Sequence, residues 1–134
     1  MGQVTARQPF ATVPVLPIAA AAVVGLLVLA SWHGFHRDEL YFIVAGQHPA
    51  FGYPDQPPLT PLLAAAANAL LGVEPFASRV LPAFSAGATI MLAAAMARDM
   101  HGGPRAQTIA AIVMAVSGLL AAGHLGSTAT YEIV

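Results

Sequence analysis

The stretch VPVLPIAAAAVVGLLVLASW, residues 13–32, decides how this chain is read. It holds no charged side chain, and about 20 helical residues are what a hydrocarbon core of roughly 30 Å requires. It predicts a spanning helix with Pro14 and Pro17 in the first turn, where a missing N–H costs least. Trp32 then falls at the interface, as an aromatic anchor does. A signal peptide cleaved near Val28 and Ala30 is the competing reading, but the apolar run is long for one.

The rest of the chain points the same way. Of its 134 residues 57% are hydrophobic and 8% charged, against about 25% charged in a soluble domain. That leaves too little polar surface to cover a globule in water, and the apolarity comes in blocks. Residues 79–97 and 108–125 form two further spanning candidates, the former opened by Arg79 with Pro82 in its first turn. Between them the Gly102-Gly103-Pro104 run stops one helix before the next begins. The fold expected is all-α and integral to a membrane, with about three transmembrane helices and two juxtamembrane helices in a first outer loop, residues 33–78. Net charge is -1 and the five cations, all arginine, do not cluster, so no basic field for nucleic acid exists. Without cysteine, disulfides and thiolate metal sites are excluded.

Loop 33–78 differs in kind. It holds Asp38, Glu39, Asp55 and Glu74, four of the six carboxylates, together with most of the turn-forming residues. Two short helices fit around those turns. One runs from Asp38 to Ala45. The other starts near Pro58, with Leu59, Leu62, Leu63, Ala66, Ala67, Leu70 and Leu71 defining one face. The second is about 20 Å long, too short to span, and is read as lying along the membrane surface or against the bundle. Arg7, Arg98 and Arg105 fall on one side of the spans, Arg37 and Arg79 on the other. The arginine excess places the N-terminus in the cytoplasm and loop 33–78 outside.

Asp38-Glu39 follows the first span directly. Ionised groups beside hydrocarbon are costly and tend to be retained for function. A carboxylate there can take the proton of an incoming hydroxyl as a general base. The structural alternative is that Asp38 caps the short helix while Glu39 favours its dipole. Arg79 has a planar fork suited to phosphate oxygens; it can equally anchor helix depth at the interface. Asp55-Gln56 precedes Pro57-Pro58 on a rigid turn, a helix-start signal in itself. His33, His36 and His48 share the loop with the acids, which allows for a divalent metal, although their spacing matches no metal motif. Glu132, past the third candidate span, either joins Asp38 and Glu39 or is an ordinary loop residue.

Three motifs in this order, His36-Arg37-Asp38-Glu39-Leu40-Tyr41-Phe42, then Gly52-Tyr53-Pro54-Asp55-Gln56-Pro57-Pro58-Leu59-Thr60-Pro61-Leu62, then Arg79-Val80-Leu81-Pro82-Ala83, resemble the start of GT-C glycosyltransferases. They are most similar to the family 39 or PMT_2-like group, which includes protein O-mannosyltransferases and lipid A aminoarabinose transferases. The third segment, with Gly123-His124-Leu125 and Ser127-Thr128-Ala129-Thr130, looks like bacterial members. The resemblance implies a multi-pass enzyme of the plasma membrane. Its donor is a polyprenyl-phosphate sugar, whose anomeric carbon is attacked with inversion by a hydroxyl of an acceptor glycan, lipid or protein. It assigns Asp38, with Glu39 beside it, to catalysis. Arg79, Tyr41, Asp55 and Gln56 are assigned to substrate and lipid-phosphate binding.

Family members carry many more spans, so the resemblance also leads us to expect an N-terminal portion, inactive by itself. The alternative class is a small non-enzymatic membrane protein, such as a transport or assembly subunit. A transport path favours charges inside spans, and between their bounding residues the three candidate spans hold none.

Overall fold

The computed structural model describes residues 8–30, 32 and 34–117. Among them the chain forms α1 (Thr12–Ala30), α2 (Arg37–Gly46), α3 (Leu59–Leu71), α4 (Pro75–Asp99) and α5 (Pro104–Ala115), with no strand. Two helices, α1 with 19 residues and α4 with 25, are long and apolar enough to cross a membrane.

Several expectations are corrected. The second span does not open at Arg79: α4 starts at Pro75, a residue suited to the first helical position. Arg79 and Pro82 are therefore buried inside the helix. Pro17 likewise lies inside α1 and not in its first turn. The third apolar segment does not begin at Thr108 or run unbroken to Leu125. Its helix starts at Pro104 and ends at Ala115, with Val116 turning out and the Ser117 N–H closing a tight turn onto the Met114 carbonyl. Residues 118–125 lie outside the described residues. The face expected for α3 is divided, with Ala67 buried and four of its leucines exposed. Leu59, Leu62, Leu70 and Leu71 point outward, while Thr60, Pro61 and Ala67 face the protein.

Helices α1 and α4 are antiparallel: Ala30 meets Arg79, Val23 meets Gly87 and Phe10 meets Arg98. Their contact is made at four-residue spacing, mostly by alanine. Ala11, Val15 and Ala19 oppose Ala86, Ile90 and Ala94, and Ala111 of α5 completes the cluster. Small side chains at that spacing let helix backbones approach closely. At the end where α1 begins, fully buried Gln107 accepts from the Ala11 N–H at 2.8 Å. It also donates to the carbonyls of Pro9 and Gly102, both at 3.1 Å. It thereby satisfies backbone groups left over at the helix start.

At the opposite end α2 packs on α3 and α3 on α4. Gly46 makes the first contact possible. A Cβ there would stand 2.7 Å from the Pro61 carbonyl oxygen and 3.0 Å from Ala65 Cβ. At Gly87 a Cβ would meet a terminal methyl, Val23 Cγ2, at 2.6 Å, while the Ala19 carbonyl oxygen stands at an ordinary 3.9 Å. Gly46→Ala is therefore expected to cost about 1–3 kcal/mol, the range for overpacking, and clearly more than Gly87→Ala. Thermal unfolding of the two variants in detergent checks the order, and equal midpoints would contradict it.

Candidate functional site

The carboxyl end of α1 and the amino end of α2 meet at a buried ion pair. Arg79 Nε donates to Glu39 Oε1 at 2.8 Å and Nη2 to Glu39 Oε2 at 2.9 Å. The same guanidinium donates to the Ala30 carbonyl at 2.6 Å and the Gly34 carbonyl at 2.8 Å. Ala30 closes α1, so its carbonyl is one that the helix leaves without an internal partner. Arg79 thus acts as a cross-piece joining α1, the 34–36 link, α2 and α4. The side chains are 3% and 1% exposed, and paired geometry of this kind is what makes a buried charge tolerable.

Glu39 has a second duty. Its Oε2 accepts the His36 backbone N–H at 2.7 Å, while His36 Nδ1 accepts the Asp38 N–H at 3.3 Å. This is a capping box with histidine as the cap. The capping reading of Asp38 is corrected accordingly. Asp38 sits in the first turn of α2 with its side chain 42% exposed, 3.5 Å from Arg37 Nε and 3.8 Å from His36 Nδ1.

A turn brings the second motif to the first. The backbones of Tyr53 and Gln56 pair at 3.1 and 3.4 Å. The Tyr53 hydroxyl donates to the carbonyls of Ala45 at 2.8 Å and His48 at 3.0 Å, clipping the turn to the end of α2. Asp55 then lies beside α2, where its Oδ1 accepts the Tyr41 hydroxyl at 2.7 Å. The result is a cleft of about 390 Å³ lined by Arg37, Asp38, Tyr41, Phe42, Asp55 and Gln56.

Of the six residues singled out from sequence, Asp38, Tyr41, Asp55 and Gln56 therefore share this cleft. Glu39 and Arg79 stand behind it, bonded to one another. Arg79 does not open a helix toward solvent, and its guanidinium is committed to protein oxygens. Sequence reasoning missed His36 as a cap, Tyr53 as a clip and Gln107 as a latch. Only His36 had a usable signal, the Glu three residues after it. His33 and Glu132 lie outside the described residues. Among the described residues no group of three or more His, Asp or Glu stands together as metal ligands do.

The hydrogen bond to Asp55 raises the Tyr41 pKa above the ordinary 10.0, with desolvation and the negative charge of Asp55 adding to it. The folded value lies above the unfolded one. The neutral phenol's contribution to stability is thus complete below the ordinary tyrosine range and is lost as pH rises through the raised value. In an alkaline titration of tyrosinate absorbance, Asp55→Asn is expected to shift one of the three tyrosine transitions downward. An unchanged titration curve would show that the Tyr41–Asp55 bond does not form in solution.

No family model, curated protein or solved structure matches the chain.

Proposed function

We propose that the chain is embedded in a membrane through α1 and α4, and that the cleft activates the acceptor of a GT-C-type glycosyl transfer. One observation carries the reading: Asp38, Tyr41, Asp55 and Gln56, drawn from two separate motifs, line one cleft beside the ends of two membrane-length helices. The donor is a polyprenyl-phosphate sugar. An acceptor hydroxyl attacks the anomeric carbon, the bond from that carbon to the phosphate oxygen breaks, and polyprenyl phosphate leaves with the electron pair. Asp38 takes the hydroxyl proton. Asp55 and Gln56 offer planar polar groups to sugar or acceptor hydroxyls. Arg37, 93% exposed at the cleft edge, is the cation placed to meet charge developing on the phosphate. Arg79 holds the scaffold. The test is transfer of labelled sugar from polyprenyl phosphate in native membranes where the protein with Asp38 intact supports it, compared with Asp38→Asn. Equal rates would remove the reading.

Orientation follows the arginines near the helix ends, with Arg37 and Arg79 on the cleft side. Arg98 and Arg105 lie at the opposite end, and Arg7 precedes α1 in the sequence. Positive charge is retained on the cytoplasmic side, so the cleft faces outward across the plasma membrane. Phe51, between α2 and α3, is fully exposed and the chain has no cysteine. Phe51→Cys is therefore expected to react with a membrane-impermeant maleimide in intact cells. Labelling only after lysis would reverse the orientation.

A further inference from the structure

We infer that a single water molecule is a structural ligand between α2, α3 and α4. A second, much smaller cavity lies behind the ion pair, walled by Glu39, Phe42, Thr60, Ala67, Ser78 and Leu81. Its volume is about 10 Å³, close to the least space that holds one water centre. Leu63 and Ala64 complete a mostly apolar wall in which Glu39, Thr60 and Ser78 are the polar side chains. Ser78 Oγ is buried and has no hydrogen-bond partner, and Thr60 is buried as well. Glu39 Oε1 accepts from Arg79 Nε and retains a further lone pair. A water here accepts from the Ser78 hydroxyl and donates to Glu39 and to Thr60, three bonds being the usual number for a buried water. An unbonded buried hydroxyl is costly, whereas a bridging water joins α3, otherwise held by apolar contact, to the polar centre of α2 and α4. That tie steadies the start of α3, immediately after the Asp55-Gln56 turn.

The test combines a high-resolution structure of the chain in lipidic mesophase with thermal unfolding of Ser78→Ala, Thr60→Val and the double variant. The expected result is ordered solvent about 2.7–3.2 Å from Ser78 Oγ, absent in Ser78→Ala. Each single variant should melt about 4 °C lower. The double variant should melt little below the worse single one, because one water serves both hydroxyls. A dry cavity with the Ser78 hydroxyl turned to the Glu74 carbonyl of its own helix would overturn the inference. So would Ser78→Ala melting at or above wild type.

Discussion

Arg79→Met is expected to destabilise the chain by about 3–5 kcal/mol, the cost of removing one partner from a buried ion pair. The side chain that remains, Glu39, is 1% exposed. It would keep the His36 N–H but lose the cation, and a buried carboxylate without one is costly. The Ala30 and Gly34 carbonyls lose donors at the same time. Arg79→Lys is expected to recover less than half of the loss. An ammonium keeps the charge but cannot reach both carboxylate oxygens and both carbonyls in the planar arrangement of the guanidinium. Arg79→Met combined with Glu39→Met should be more stable than Arg79→Met alone, because no charge is then left buried. Chemical denaturation in detergent measures all three. A loss under 1 kcal/mol for Arg79→Met, or a double variant no better than the single, would show that the pair does not hold the helices together.

That pair also shows what sequence could reveal. Apolar length marked α1. Leucine and alanine periodicity, with prolines in front, marked α3, and the acidic start marked α2. Each is a local signal, readable within one or two helical turns. Four residues of the cleft stood in the two motifs, but their meeting depends on the Tyr53–Gln56 turn folding back on α2, which neither motif states. Arg79 misled because a charge after an apolar gap reads as the end of a span. Its partner is 40 residues earlier, and nothing local announces that the charge is neutralised. The direction of the α3 face was hidden by a different effect. Periodicity identifies a stripe but not the surroundings it meets. The close approach of Gly46 to Pro61 admits only small residues, so the leucines turn away. Gln107 bonds backbone groups 96 and 98 residues distant, which no window along the chain contains.

Asp38→Asn should lower sugar transfer by about 10²–10⁴-fold while leaving the fold intact. The amide keeps the shape of the carboxylate but cannot accept the hydroxyl proton as the bond to the anomeric carbon forms. At 1.36 kcal/mol per tenfold the loss corresponds to about 2.7–5.4 kcal/mol of barrier. Stability answers to different contacts. The side chain is partly solvated, and its neighbours Arg37 and His36 stand 3.5 and 3.8 Å away, so losing its charge at the start of α2 costs only about 0.3–1 kcal/mol. The backbone N–H of Asp38 still donates to His36, so the cap survives the change. Activity and stability should therefore separate at Asp38, whereas at Arg79 they should fall together as the scaffold loosens. A purely structural carboxylate gives the opposite pattern for Asn: a small drop in melting temperature with transfer at the wild-type rate. That outcome would return Asp38 to a helix-dipole role and leave the cleft without a base.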